Sequence, residues 1–183
     1  MNIRTKDNLV VIVAGIGMLL STLDTGIINV ALPFFKSYFE TTADIAAIAV
    51  TGYTISLAVF ILPFGLLSDK FGKLSFSYIG LIIFGLSSLL CGLSANVQML
   101  IMFRIFQGIG AAALQATSAS LITTLVSAEK SSSAIGVLGI MIGVGPVLGP
   151  SLGGLLLSLN SWRGIFWLNI PFVLLGLICN HKL

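Results

Sequence analysis

Hydrophobic residues fall in six long runs along the chain, separated by short polar segments. The runs lie at residues 9–32, 45–67, 74–93, 97–125, 132–157 and 164–180. A helix needs about 20 predominantly apolar residues to cross the hydrocarbon core of a bilayer, and these runs are of that order. Because the connections are short, the pattern predicts an all-α membrane protein, a bundle of six antiparallel transmembrane helices without an extramembrane domain.

The composition indicates lipid as the solvent of most side chains. Of the 183 residues, 57% are hydrophobic and 8% are charged, whereas soluble domains carry about 25% charged residues. A domain of this size has too much surface to hide so many apolar side chains from water. The basic residues are scattered and form no patch or motif of the kind that binds nucleic acid. Cys91 and Cys179 lie inside apolar runs without the spacing of a metal site.

The distribution of basic residues predicts the orientation of the bundle. One side of the membrane receives Arg4, Lys6, Lys70, Lys73, Lys130 and Lys182. The other side receives only Lys36 and Arg163. Lys and Arg are enriched in cytoplasmic loops, so both termini are expected in the cytoplasm and the protein in the plasma membrane. Trp162 and Trp167 are interpreted as anchors at the membrane interface.

Two charged residues interrupt the apolar runs. A charged side chain within a membrane span is costly and therefore a candidate functional site. Counting about 1.5 Å per residue from the ends of their spans, Asp24 and Arg104 reach similar depths below the same surface. Burial disfavours the charged form of a carboxyl group, whereas a nearby arginine favours it. We expect Asp24 and Arg104 to handle protons; the alternative is a static ion pair that fixes helix packing.

Three other groups of residues are candidates for functional roles. Asn29, Gln107 and Gln115 either face a cavity or bond to a neighbouring helix. The segment between the second and third spans contains Gly65, Asp69, Lys70, Gly72 and Lys73. Its glycines permit a tight turn and Asp69 could cap a helix, whereas an ordinary cytoplasmic turn explains the lysines equally well. The fifth span carries Gly145, Gly149, Pro150, Gly153 and Gly154. Its glycines recur every four residues, which favours close helix packing, and its prolines favour a bend.

The first and fourth spans each carry one buried charge, which suggests that spans one to three are repeated in spans four to six. Inverted three-plus-three repeats are known in transporters. The predicted fold is therefore a bundle of two such repeats.

Five segments resemble motifs of the major facilitator superfamily, in the order and on the helices where that superfamily has them. Residues 23–33 are similar to the first-helix signature of its drug:proton antiporters, and residues 65–73 resemble its G-x-L-a-D-r-x-G-r-k loop. Residues 104–112 resemble the fourth-helix motif R-x-x-Q-G-x-G-A-A. Residues 145–154 match the antiporter motif g-x-x-x-G-P-x-x-G-G. Residues 162–172 are similar to a segment before helix six in fourteen-helix exporters, including quaternary-ammonium efflux pumps.

The resemblance implies that the chain is the N-terminal six-helix half of a major facilitator fold, with the C-terminal half absent. It further implies that Asp24 and Arg104 serve proton coupling, and that Asp69 helps to latch the two halves on the cytoplasmic side. The fifth helix would seal the outward path.

The function expected from these features is proton-coupled efflux of small lipophilic or cationic drugs. No nucleotide-binding loop is present, so the proton gradient is the expected energy source and no cofactor is expected. One histidine near the end of the chain, without a nucleophile–base pair, favours no enzymatic activity. Two alternatives remain. One is an uptake permease of the same superfamily. The other is a non-transporting fragment, because substrate binds between two six-helix halves and this chain would need a C-terminal half or a second copy of itself.

Overall fold

The computed structural model describes residues 3–183, which form seven helices joined by short connections. Their bounds are α1 Ile3–Tyr38, α2 Ala43–Phe71, α3 Lys73–Gly92, α4 Val97–Leu125, α5 Ala128–Ser158, α6 Gly164–Trp167 and α7 Asn169–His181. By length and composition, six helical segments can cross a membrane, the sixth being α6 and α7 taken together. The predicted all-α bundle of six spans is confirmed.

Several helices extend beyond the apolar runs that predicted them. Helix α1 continues for six residues on either side of residues 9–32, because backbone hydrogen bonding does not stop where the side chains become polar. Side chains cap two of the starts: Thr42 Oγ1 accepts a hydrogen bond from the amide of Ile45, and Asn96 Oδ1 accepts one from Met99. The starts of α2 and α4 thus coincide with capping residues.

The sixth span is interrupted at Leu168, between α6 and α7. Pro171 lies one turn further on and has no amide hydrogen to donate to the carbonyl of Trp167. The interruption therefore falls where proline removes a helical hydrogen bond. Asn169 becomes the first residue of α7.

Helices α1 and α4 are the most buried spans. The most extensive packing joins α1 to α5 and α4 to α2, which are the helix pairs that a three-plus-three repeat would exchange. Each pair crosses at a glycine: Gly26 of α1 lies against Gly145 and Gly149 of α5, and Gly108 of α4 lies against the backbone of Tyr53 on α2. This packing agrees with the predicted repeat.

Aromatic side chains close the end of the bundle where α1 finishes. Phe35 packs edge-on against Trp162, with ring centroids 5.8 Å apart, and stacks on Phe166 at 6.3 Å. Trp162 is only 2% exposed. The interpretation of Trp162 as a side chain anchored in the membrane interface is therefore wrong, because the connection between α5 and α6 folds its ring into the protein. Trp167 is exposed.

Candidate functional site

An ion pair between Asp24 of α1 and Arg104 of α4 lies at the centre of the bundle. Arg104 Nη1 is 2.5 Å from Asp24 Oδ2, and both side chains are completely buried. The two residues are 80 positions apart in the chain. The contact that their matched depths predicted is present, and it joins the first helices of the two predicted repeats.

Two amide side chains also donate to the Asp24 carboxylate. Gln107 Nε2 lies 3.0 Å from Oδ1, and Asn169 Nδ2 lies 3.2 Å from the same oxygen. Both amides also reach Ser88 Oγ of α3, at 2.8 Å from Gln107 and 3.4 Å from Asn169. The carboxylate therefore accepts three hydrogen bonds from side chains of two helices, and Ser88 ties both amides to a third.

Arg104 makes further contacts besides its ion pair with the Asp24 carboxylate. Its Nε donates to the carbonyl oxygen of Ala49 on α2 at 3.2 Å, and its Nη1 also reaches Gln107 Oε1 at 2.6 Å. The guanidinium carbon lies 4.1 Å from the centre of the Tyr53 ring, a favourable cation–π position. Tyr53 is held in turn by a hydrogen bond from its hydroxyl to the carbonyl oxygen of Ser21, at 3.2 Å.

This arrangement compensates the burial of the Asp24 carboxylate. A carboxylate buried in low dielectric needs hydrogen bonds and an opposite charge, and Asp24 has both. Oδ1 accepts two hydrogen bonds and Oδ2 accepts one, so three of the about four acceptor positions of the carboxylate are used. A proton bound to Oδ1 would displace Gln107 or Asn169.

The three candidates for a substrate cavity have different surroundings. Gln107 is wholly buried and lines no open surface. Of its two predicted roles, it has the second, because it bonds to neighbouring helices. Gln115 is partly buried and donates to Ser21 Oγ at 3.1 Å. Asn29 is exposed and donates to the Thr25 carbonyl oxygen of its own helix at 3.0 Å. Asn29 alone of the three presents an exposed side chain.

The segment at residues 65–73 is mostly helical rather than a loop. Helix α2 runs to Phe71, only Gly72 separates it from α3, and Gly72 has a φ of 103° that favours glycine. Asp69 makes an ion pair with Lys73 at 3.0 Å and does not cap α3, whose start has no side-chain cap. Lys73 Nζ also lies 3.0 Å from Thr124 Oγ1 of α4.

The remaining residues of this segment do not converge on one another. Gly65 lies within α2 and has open space beside it. Lys70 is exposed, with its ammonium 5.4 Å from the centre of the Phe71 ring.

The glycines of α5 divide into two sets. Gly145, Gly149 and Gly153 are buried and lie against Thr22, Gly26 and Ile27 of α1. Pro150 is exposed, and a side chain at Gly154 would meet nothing within 4 Å. The face predicted from the four-residue spacing is therefore the contact with α1. Pro150 and Gly154 lie outside it.

Sequence reasoning did not assign roles to Asn169, Ser88 or Tyr53. Asn169 lies in a segment with a recognisable motif, which was the available signal. Ser88 and Tyr53 carry no such signal, since serine and tyrosine are ordinary residues of membrane helices.

A second buried carboxylate, Asp7, was also missed. It is 3% exposed and accepts hydrogen bonds from Ser127 Oγ at 2.8 Å and from the Ser127 amide at 3.4 Å. Lys130 Nζ lies 3.7 Å from the same carboxyl group. Asp7 thereby attaches the start of α1 to the connection between α4 and α5.

Curated relatives include proteins named for riboflavin transport and for drug resistance. The chain is 35% identical over 174 residues to the riboflavin transporter RibZ of Clostridioides difficile, covering 95% of this chain and 38% of that protein. It is 37% identical over 164 residues to the multidrug resistance protein Stp of Mycobacterium tuberculosis, covering 89% of this chain and 30% of that protein. It is 34% identical over 175 residues to the methylenomycin A resistance protein of Bacillus subtilis, covering 95% of this chain and 38% of that protein. The chain thus spans less than two fifths of the length of these relatives.

Solved structures share the fold. The proton:xylose symporter XylE bound to 6-bromo-6-deoxy-D-glucose superposes with a TM-score of 0.84 at 19% identity, covering 100% of this chain and 46% of that one. The inward-open xylose transporter XylE from E. coli gives a TM-score of 0.82 at 20% identity, covering 94% of this chain and 47% of that one. The sequence model of the Major Facilitator Superfamily matches residues 14–181. The resemblance stated from the five motifs is confirmed: this multi-pass membrane protein belongs to the Major Facilitator Superfamily of transporters.

Proposed function

We propose that this chain forms part of a secondary transporter that exports lipophilic or cationic compounds in exchange for protons, with Asp24 as the proton-carrying group. The observation that carries the proposal is the Asp24 carboxylate, buried among three hydrogen-bond donors that include Arg104. Of the six acidic residues of the chain, it is the one in the middle of a span. The others are Asp7, Glu40, Asp44, Asp69 and Glu129.

The surroundings of Asp24 support an exchangeable proton over a purely structural ion pair. Breaking a buried ion pair is costly because it leaves a charge uncompensated. Protonation of Asp24 leaves the Arg104 charge without its counter-ion, but the Ala49 carbonyl, Gln107 Oε1 and the Tyr53 ring continue to hold the guanidinium and reduce that cost. The cluster therefore offers two arrangements that differ by one proton.

Export of lipophilic or cationic compounds is supported by the relatives and by the chemistry of the surface. Two of the relatives are named for resistance, one to multiple drugs and one to methylenomycin A. The exposed side chains of α2 and α5 are largely apolar, including Leu62, Leu66 and Val147. The partners we propose are membrane lipid and a second six-helix half or a second copy of this chain.

We propose the plasma membrane as the location, with both termini in the cytoplasm. Lys73, tied to Thr124, and the Asp69–Lys73 ion pair would then form a cytoplasmic gate. The tight contact of α5 with α1 would seal the path on the other side. These assignments rest on the loop charges and on the motifs of residues 65–73 and 145–154.

The test is Asp24→Asn in the full-length transporter, reconstituted in liposomes with an imposed pH gradient. Asn keeps the shape of the side chain and cannot carry a proton at Asp24, so uphill transport and substrate-driven proton flux should both be lost. The matched control is Asp44→Asn, which makes the same chemical change at an exposed acid in the first turn of α2. Uphill transport at the parental rate by Asp24→Asn would exclude Asp24 as the coupling site.

A second candidate function is transport of riboflavin or a similar planar heteroaromatic compound. The 35% identity to RibZ favours it. The same liposomes distinguish the two, by comparing riboflavin with a lipophilic cationic dye and by recording the direction of movement relative to the proton gradient. Accumulation of riboflavin together with protons, without transport of the dye, would favour the uptake alternative.

A further inference from the structure

Asn169 is the most weakly held of the three donors to Asp24. Its Nδ2 donates to Asp24 Oδ1 at 3.2 Å and to Ser88 Oγ at 3.4 Å. Its own oxygen, Oδ1, has no hydrogen-bond partner within residues 3–183. The amide therefore uses only its donor group, and its main partner is the carboxylate.

The other two donors are fixed by further bonds. Arg104 is bonded to Ala49 and Gln107 as well as to Asp24. Gln107 donates to Ser88 at 2.8 Å and accepts from Arg104 at 2.6 Å. Moving either of them away from Asp24 breaks short hydrogen bonds elsewhere, whereas moving Asn169 breaks only its two long ones.

Asn169 also lies where the backbone hydrogen bonding of the sixth span is weakened. Leu168 keeps helical dihedral angles between α6 and α7, but Pro171 has no amide hydrogen to donate to the carbonyl of Trp167. The first turn of α7 therefore has one helical hydrogen bond fewer to break when it shifts.

We propose that Asn169 is a positioning residue that sets the proton affinity of Asp24 and is the donor that leaves when the proton binds. This inference rests on the proposed role of Asp24 as the proton carrier. When the first turn of α7 moves, Oδ1 of Asp24 loses Asn169 and takes a proton from hydronium, which forms one O–H bond, releases one water molecule and leaves the carboxyl group neutral. Arg104 keeps its charge and its bonds to Ala49 and Gln107.

Few other ionisable groups can influence this titration. Arg104 of α4, Tyr53 of α2 and Cys91 of α3 face Asp24. The ionisable residues of α5 are Glu129 and Lys130, in its first turn. Those of α7 are Cys179 and His181, at its far end. A change in the titration of Asp24 caused by substituting Asn169 is thus attributable to the lost hydrogen bond.

The test is an infrared titration of the chain in lipid nanodiscs, following the C=O stretch of the protonated Asp24 carboxyl. The band is assigned by its disappearance in Asp24→Asn. Because Asn169 donates to the ionised form, Asn169→Ala should move the midpoint of protonation about one pH unit higher, a roughly tenfold gain in proton affinity. Asn169→Asp keeps the shape of the side chain, and the resulting pair of carboxyls should also take up a proton at higher pH, since like charges so close disfavour double ionisation.

The matched control is Asn180→Ala. Asn180 lies on the same helix, is also buried, and donates to a backbone carbonyl at Leu74. A midpoint in Asn169→Ala and Asn169→Asp that moves no more than in Asn180→Ala would overturn the proposal, and a shift to lower pH would do the same. If Asn169→Ala does not fold, Asn169→Leu, which keeps a similar side-chain volume without a hydrogen-bond donor, replaces it and should give a shift in the same direction.

A second measurement tests the departure of Asn169. Asp24→Asn mimics the neutral acid, so the amides of Asn169, Ile170, Phe172 and Val173 should exchange hydrogen for deuterium faster in that variant than in the parent chain. Equal exchange would contradict the proposed movement. Neither measurement uses substrate or a gradient, so each can fail while Asp24→Asn still abolishes transport, and the two proposals are tested separately.

Discussion

Gly149 of α5 and Gly26 of α1 cross so closely that a methyl group on Gly149 would lie 2.6 Å from the Cα atom of Gly26. The other nearest atoms, at 2.7 and 2.8 Å, are the carbonyl carbon of Gly26 and the amide nitrogen of Ile27. All three are backbone atoms, so no side-chain rotation relieves the clash. The two helices can keep this crossing only if both residues are glycine.

Gly149→Ala should therefore destabilise the bundle by about 1–3 kcal/mol, the usual cost of overpacking a tight contact. The measurement is thermal unfolding in detergent. Gly139→Ala is the control, because a methyl group there meets nothing within 4 Å and alanine favours helix. Equal stability of the two variants would show that the crossing is looser than described.

Removing one partner of the central ion pair should be more costly than removing both. Arg104→Met leaves the Asp24 carboxylate without its positive partner, and loss of one member of a buried pair costs about 3–5 kcal/mol. Asp24→Leu should likewise be destabilising. The double variant carries no uncompensated charge and should recover much of the loss. A double-mutant cycle of unfolding free energies measures this coupling, and strictly additive effects would contradict it.

Asp7 should hold the connection between α4 and α5 in place. Asp7→Ala removes the acceptor for both Ser127 hydrogen bonds and the partner of Lys130. The amides of residues 126–130 should then exchange hydrogen faster in deuterium-exchange mass spectrometry. Asn8→Ala alters the exposed neighbouring residue and should leave that exchange unchanged. Similar exchange in both variants would mean that Asp7 does not secure the connection.

The orientation of the chain can be tested with two serines at opposite ends of α5. Ser132 and Ser158 are exposed and 26 residues apart, which corresponds to about 39 Å of helix, more than the hydrocarbon core. In a background without Cys91 and Cys179, Ser158→Cys should react with an impermeant thiol reagent in intact cells, and Ser132→Cys should not. The reverse pattern would place both termini outside.

The number of spans and the depth of the two central charges could be predicted because both depend only on distance along the chain. An apolar run has a length, and Asp24 and Arg104 each have a position within one. Rotation of a helix about its axis cannot be obtained in the same way. Asn29 and Asn169 look alike in sequence, yet the first is exposed and the second is buried against Asp24.

Helix rotation is decided by packing between residues far apart in sequence. Gly26 allows one face of α1 to pack closely against α5, and Gly108 allows one face of α4 to pack closely against α2. These contacts direct Asp24 and Gln107 into the protein and leave Asn29 outside. The four-residue spacing of the glycines predicts which face of α5 is in contact, but not which helix it meets. The amide donors around Asp24 could therefore not be predicted from their residue types.

Helix α1 carries both of the buried carboxylates and is continuous from Ile3 to Tyr38. Asp7 and Asp24 are 17 residues apart, or about 25 Å of unbroken helix. A rigid helix transmits an axial displacement to both of its ends, so any axial movement of α1 at Asp24 would also reach the contacts of Asp7 with Ser127 and Lys130. The environment of the carboxyl group in the middle of the bundle and the position of the α4–α5 connection at its edge are thereby linked through one helix.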